Sequence, residues 1–346
     1  MKKITKIMAL GVAFLIGLPG LAHASDVVKY DSTNLDEILM KNGVKVDTEK
    51  VKTRREALIK KNPTLKPVEE KKKPIVYPKT AVYTKVVDMS EHQNPVAINY
   101  DVFAKEIDGA ILRSSITTFK EDEETGEKSY YLRRDLTVDS HYQNLNARNV
   151  PIGFYHYSRA TNVEEATKEA NYVLDYIRGK NISLPIFLDM EDNMRQSKVS
   201  REELSRVANT FLDIMQRNGY VAGIYSYPHF AKNHLNREVR NRGNFWIADY
   251  AGVGFTGYTD TEFDIWQYAH KGRVAGYPGN LDLNTLYRDY PLIIKGKSRK
   301  NYNDLIQEII DGHWAEGKER EKRLKYAGYN YNQVQKDVDK KLRLKK

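Results

Sequence analysis

Residues Leu184 to Asp192 read Leu-Pro-Ile-Phe-Leu-Asp-Met-Glu-Asp, an apolar run that stops at two carboxylates, Asp189 and Glu191, spaced two apart. Period-two strand geometry puts both on one face, with side chains about 6–7 Å apart. Like charges at that range, in a cleft that excludes some water, raise at least one pKa and keep one acid protonated near neutral pH. A protonated carboxyl beside an ionised one is what glycosidic cleavage needs: one protonates the leaving oxygen, the other stabilises or attacks the oxocarbenium-like centre. The same spacing also suits an acidic pair that caps a helix or binds a cation, and on spacing alone these readings stay open.

Aromatic residues gather at the ends of other apolar runs: Tyr155 and Tyr157 around His156, Tyr225 and Tyr227, Trp246 and Tyr250, Trp266 and Tyr268. Sugar rings expose flat C–H faces that stack on such side chains, although alternation sends roughly half of them into a core. His156 reads equally well as a hydrogen-bonded structural histidine.

These groups need a frame, and the chain supplies one after Ala81. Val82 to Asp88, Gly109 to Arg113, Ile152 to Tyr157, Leu184 to Asp189, Val221 to Tyr227, Phe245 to Asp249 and Phe263 to Tyr268 read as strands. Helical patterns alternate with the first five. Glu164 to Arg178 places Ala166, Ala170, Val173, Leu174 and Ile177 on one face, and Ser200 with Glu203 forms a capping box before Leu204, Val207, Ala208, Phe211 and Met215. Alternation implies an α/β fold with a parallel sheet, and about 210 residues favour a closed barrel over an open sheet. In such a barrel, acids at the carboxyl ends of strands point into the mouth, and Asp88, Asp189, Glu191 and Asp282 fit that description.

The flanks are different. Met1-Lys2-Lys3, an apolar stretch from Ile7 to Leu18 and Ala22-His23-Ala24 match a secretory signal over residues 1–24, which predicts export. Residues 25–80 are Lys-rich with Pro63, Pro67, Pro74 and Pro78, as a semi-rigid linker would be, with one short helix over Leu35 to Lys41. The barrel is expected over 81–294, a basic linker over 295–302 and three short helices over 303–344, marked by Leu305, Ile306, Ile309 and Ile310, then Leu324 and Ala327, then Val334, Val338 and Leu342. There is no cysteine among the 346 residues, so no disulfide contributes and a lipoprotein anchor is excluded. The formal net charge of +10 favours anionic partners such as wall polymers, or merely keeps the protein soluble. The basic residues fall in linkers and tail and not along a stacking platform, which argues against nucleic acid, and no segment after the signal approaches a membrane span.

Taken in order, Asp88-Met-Ser-Glu-His-Gln93, Gly153-Phe-Tyr-His-Tyr157, Asp189-Met-Glu-Asp192, Trp246-Ile-Ala-Asp-Tyr250, Trp266-Gln-Tyr268 and Asn280-Leu-Asp-Leu-Asn284 resemble glycoside hydrolase family 25 over about Ala81 to Pro291. The resemblance implies a shortened TIM-like barrel of five β/α units followed by three strands, and a lysozyme that cuts between N-acetylmuramic acid and N-acetylglucosamine without a cofactor or metal. It implies Glu191 as proton donor, Asp189 as its paired carboxylate, Asp88 and Asp282 as further site acids, and Tyr155, Tyr157, Tyr225, Trp246, Asp249, Trp266 and Gln267 as substrate-binding residues. Whether the second step uses an aspartate nucleophile, the 2-acetamido group or direct water stays open. Two departures stand out: a charged insertion over Phe119 to Arg134 in place of a shorter loop, and His92 where an aromatic residue is common.

The tail, Leu305 to Trp314 with Gly317, Arg320, Arg323-Leu324, Ala327-Gly-Tyr-Asn-Tyr331 and Val334-Gln335, resembles the seventh-type cell-wall-binding repeat of phage endolysins. That implies a muropeptide-binding module in which Trp314, Arg320, Arg323 and Tyr329 contact the wall, or a helical tail whose aromatics only fill its own core. As a tether, the module should be separable: truncation after Lys297 should spare hydrolysis of short soluble glycans. The expected protein is a secreted, wall-associated peptidoglycan hydrolase. Its rivals are a non-catalytic wall-binding protein and a metal-dependent peptidoglycan deacetylase.

Overall fold

The computed structural model describes residues 79–250 and 263–343. The signal, the linker and its short helix fall on residues 1–78, outside the described residues, apart from the linker's last two positions. The strand patterns form a closed barrel. β1 (Tyr83–Met89), β2 (Gly109–Glu121), β4 (Ile152–Tyr157), β5 (Ile186–Asp189), β6 (Ala222–Ser226), β7 (Phe245–Ala248) and β8 (Ile265–Val274) run parallel in that order, and β9 (Tyr277–Leu286) closes the sheet antiparallel to both β8 and β1. The helices α1 (Tyr100–Glu106), α2 (Val138–Ala147), α3 (Val163–Ile177), α4 (Arg201–Arg217), and α5 (Pro228–His234) with α6 (Arg237–Arg240) follow the first five barrel strands, so five β/α units precede three strands as expected.

Local chemistry sets the helix starts. Asn162 accepts a hydrogen bond from the Glu165 amide at the start of α3, and Ser200 accepts one from the Glu203 amide at the start of α4. Both helices bury the faces read from the sequence: Ala166, Ala170, Val173, Leu174 and Ile177 in α3, and Leu204, Val207, Ala208, Phe211 and Met215 in α4. Within the barrel, Gly223 on β6 is required by close approach, since a Cβ there would lie 1.8 Å from the Asn244 carbonyl oxygen.

The charged insertion is not a loop. β3 (Lys128–Arg134) folds back antiparallel on the extended end of β2, outside the barrel, from Ser115 opposite Arg134 to Glu121 opposite Lys128. Asp122 Oδ1 accepts from the amides of Glu124 and Thr125 at the turn, and Gly126 supplies the positive φ. The hairpin is held to the barrel mouth by Arg133, whose two terminal nitrogens each donate at 2.7 Å to the carboxylate of Glu91, just after β1.

At the opposite end, α7 (Tyr290–Lys295) leads into α8 (Tyr302–Ile310), α9 (Gly317–Ala327) and α10 (Tyr331–Arg343). Their buried residues Leu305, Ile306, Ile309, Trp314, Leu324, Tyr329 and Val334 share one apolar cluster with Val82, Tyr83, Leu184, Leu286 and Tyr290 of the barrel. Arg299, in the segment read as a linker, donates to the carbonyls of Asn149, Ala104 and Ile107 and so straps the tail under α1 and α2. Among the described residues, no helix is long and apolar enough to cross a membrane.

Candidate active site

The four acids meet at the carboxyl ends of the parallel strands. Asp88 on β1 pairs across the sheet with Asp282 on β9, and Asp189 closes β5 between Tyr157 on β4 and Tyr225 on β6. Glu191 lies two residues beyond. Asp88 and Asp189 are buried, whereas Asp282 and Glu191 are half-buried and face the opening.

Electrostatics divide Asp189 from Glu191. Burial raises both, and the charge of Glu191 raises Asp189 further. The charges around them differ in sign. Besides Glu191 and Asp88, Asp189 feels the guanidinium groups of Arg113 and Arg159, which favour its ionised form. Glu191 is pushed up to about 7 by burial and then by the anions of Asp282 and Asp192. Arginines lie near Asp189, whereas the charges that act on Glu191 are all negative, so the two carboxyls sit in different fields. Oδ1 of Asp189 is buried with no hydrogen-bond partner among the described residues.

Asp88 and Asp282 form a second acidic pair, raised first by burial and, for Asp88, then by its neighbour. Oδ2 of Asp88 accepts from Gln267 Nε2 and Asn284 Nδ2, both at 2.8 Å. Gln267 Oε1 in turn accepts from the hydroxyls of Tyr225 at 3.0 Å and Tyr250 at 2.7 Å.

The residues read as substrate-binding therefore separate into two groups. Tyr155 and Tyr157 are half-buried at the mouth, whereas Trp266, on the opposite face of β8 from Gln267, packs against the outer apolar cluster and so does not face the acids. Trp246 is 1% exposed, edge-on to Tyr155, Phe187 and Tyr225, so no sugar reaches its face; it packs beneath the site. Gln267 is buried with both ends of its amide committed, and it serves Asp88 instead of substrate. Tyr225 is nearly buried and holds Gln267. Asp249 is buried too, and its backbone amide and carbonyl bond to Gln267 and to the indole of Trp266. His156 is structural: it bonds Ser115 and Thr117 and lies 3.4 Å from the buried carboxylate of Glu169.

The sequence reading did not single out Asn284, Arg113 or Arg159. Asn284 was legible, since it lies two residues from Asp282 and period two puts both on one face. Arg113 ends an apolar strand, where a charge needs a reason; it is 6% exposed and paired with Asp135 and Glu91 at 2.8 Å. Arg159 depends on the hairpin, lying over the rings of Tyr157 and Phe119 while donating to Asp192.

In the tail, Trp314 is fully buried edge-on against Tyr329, and Tyr329 donates to the buried Asp289. Neither presents a surface to a ligand, because both aromatic faces are spent on packing the tail against the barrel. Arg320 bonds Ala315 and Gln335, and Arg323 bonds Glu319 and Thr80, so both guanidinium groups also hold structure together.

Comparison with known proteins identifies the family. Residues 87–277 match Glycosyl hydrolases family 25, and residues 303–342 match the CW_7 repeat. The chain is 31% identical over 150 residues to the autolytic lysozyme of Clostridium acetobutylicum, covering 43% of this chain and 44% of that protein. It is 28% identical over 265 residues to the lysozyme of Streptococcus phage Cp-7, covering 73% of this chain and 68% of the phage protein. A solved glycosyl hydrolase 25 of Streptococcus pneumoniae aligns with a TM-score of 0.49 at 28% identity, over 58% of this chain and 86% of that one. The chain thus spans less than half of the clostridial protein's length. With more than half of its residues matched, the chain belongs to glycosyl hydrolases family 25, and it carries one CW_7 repeat after the catalytic barrel.

Proposed function

We propose that the protein is a lysozyme-type N-acetylmuramidase that hydrolyses the β-1,4 bond between N-acetylmuramic acid and N-acetylglucosamine in bacterial peptidoglycan. The observation that carries this reading is the pair Asp189 and Glu191 at the mouth of a barrel, two carboxyls raised by burial so that one can keep a proton near neutral pH, with Arg113 and Arg159 beside Asp189. Glu191 protonates the glycosidic oxygen, and Asp189 stabilises the positive charge that develops as the bond breaks. Tyr155 and Tyr157 line the approach. Both relatives are named as lysozymes, which supports the same substrate class.

The export signal over 1–24, the tether over 25–80, the barrel over 81–294, the short basic segment over 295–302 and the wall-binding module over 303–344 belong to the same proposal. They place the enzyme outside the membrane, against its own or another wall, with anionic polymers as secondary partners for a chain of net charge +10. Since Trp314 and Tyr329 are turned inward, the module's wall contacts are assigned to the groove along α10 that Tyr331, Asn332, Gln335, Lys336 and Lys340 line. The deciding experiment is mass spectrometry of purified sacculi after digestion. Fragments with a reducing N-acetylmuramic acid end support the reading; reducing N-acetylglucosamine ends, freed peptides or deacetylated glycan each overturn it.

A further inference from the structure

Among the described residues, both amide N–H groups that reach Asp88 bond the same oxygen, Oδ2. Both N–H groups on Oδ2 are themselves fixed from behind. Asn284 Oδ1 accepts from the indole Nε1 of Trp246 at 2.8 Å, while its Nδ2 also donates to the Val86 carbonyl at 3.1 Å. Turning that amide over would set an NH2 against the indole N–H, so the donor must face Asp88. Gln267 is oriented in the same way by Tyr225 and Tyr250. Asn284 is fully buried and Gln267 nearly so.

Two donors on Oδ2 leave Oδ1 as the oxygen that can carry a proton, and Asp282 stands directly across the strand pair. We propose that Asn284 and Gln267 are positioning residues of the hydrolysis: by donating to Oδ2 of Asp88 they fix the plane of its carboxyl, favour its charged form and leave Oδ1 as the oxygen available beside Asp282. Trp246 acts one step further back, through Asn284. The chain of contacts thus runs from a buried indole through Asn284 to Asp88, beside Asp282 in the mouth. The inference rests on the glycosidase reading for its kinetic part only.

Other charged and titratable groups surround the pair. Asp189 and Glu191 approach from the end of β5, Arg113 from β2 and Tyr155 from β4. Tyr225 comes from β6 and Tyr250 from beyond β7. His270 on β8 and His92 after β1 face Asp282 and favour its charge. None of these changes in the variants below.

The test is a carbon NMR titration of protein labelled at the aspartate carboxyls, with the Asp88 signal assigned from its loss in Asp88→Asn. In Asn284→Leu and Gln267→Met the Asp88 titration should move to higher pH, because each substitution removes an N–H that favours the charged form. Turnover of a soluble muroglycan should fall about 10- to 100-fold in kcat, the range for outer partners that orient a reacting group, with KM changed less than about twofold. Trp246→Phe, which removes only the indole N–H, should shift both quantities in the same direction by less. An Asp88 titration that matches the wild type in all three variants overturns the proposal, and so does a shifted titration with unchanged kcat. If Asn284→Leu does not fold, Gln267→Met and Trp246→Phe decide by the same criteria. Wild-type protein that released no glycan would defeat the glycosidase reading while leaving the titration result to stand on its own.

Discussion

Asp289 tests whether the tail is part of the barrel's fold. It is fully buried, caps α7 through the Leu292 amide at 3.1 Å, and accepts from the hydroxyls of Tyr83 on β1 and Tyr329 after α9, both at 2.9 Å, and from Ser298. Its own amide donates to Ala327, and the Tyr83 hydroxyl accepts from the amides of Arg299 and Lys300. One carboxylate thus joins the first barrel strand, α7, the basic segment and the tail. Asp289→Ala strips three hydroxyls of their acceptor; hydrogen bonds to a charged group are worth about 1.5–3 kcal/mol each, and because they share one acceptor we expect a loss of about 3–5 kcal/mol. At about 2–4 °C per kcal/mol for a unit of this size, the midpoint of thermal unfolding should fall by roughly 6–20 °C. The assay is differential scanning fluorimetry with soluble-glycan hydrolysis measured well below the transition. Kinetics there should match wild type, since Asp289 lies at the barrel end opposite the four acids. A fall of less than about 2 °C would refute the latch. Truncation after Lys297 extends the test: it uncovers Tyr83, Leu286 and Tyr290 and should abolish soluble-glycan activity together with folding, whereas survival of that activity would restore the separable tether read from the sequence.

Glu191→Gln should keep the thermal midpoint and lower kcat by the 10²–10⁴-fold typical of a general acid, with Asp189→Asn also severely impaired; a Glu191→Gln enzyme retaining about a tenth of turnover would place the donor elsewhere. The kcat/KM profile should be a bell that EDTA does not alter, with its alkaline limb near the value of about 7 to which Glu191 is pushed up, since the donor is competent below that pH and lost as pH rises through it. A rate that climbs to a plateau above neutrality and vanishes with chelator would return the site to metal chemistry. Asp192→Asn, mild by strand alternation alone, should cost about 1–3 kcal/mol of stability, because the buried carboxylate accepts from Arg159 at 3.1 Å and from the Arg195 amide at 2.7 Å. Unfolding at the wild-type temperature would show that the loop does not depend on it.

The barrel was legible because its signals are local: α3 and α4 carry caps and apolar faces within one window, and β5 is an unbroken apolar run. The acids were legible because a carboxylate that ends such a run is unusual. β3 was not, since Lys128 to Arg134 has no buried face of its own and becomes a strand only when β2 extends to meet it. β9 was missed for a related reason. Tyr-Pro-Gly-Asn carries turn chemistry, yet it continues a strand whose later residues pair with both β8 and β1. The roles of aromatic residues were least legible. Trp246 and Trp314 have the composition of sugar-binding residues, and the fold spends both on packing, a choice that depends on which residues arrive from distant elements.

That spending bears on how the site works. Trp246 fills the space under the mouth while its one polar atom orients Asn284, so the same side chain supplies packing and aims a hydrogen bond at Asp88. Beneath it, Phe187 and then Leu184, Tyr83 and Leu286 continue the apolar column to Trp314 and Tyr329 of the tail. Four acids held within one mouth repel each other and lose hydration, and such an arrangement persists only where the surrounding structure over-determines it. Here the fold answers with arginines on one side of Asp189, amide donors behind Asp88, and an apolar column closed from below by the tail. A tail packed against the base of the barrel therefore supports the apolar column beneath the acids, whichever surface of it meets the wall.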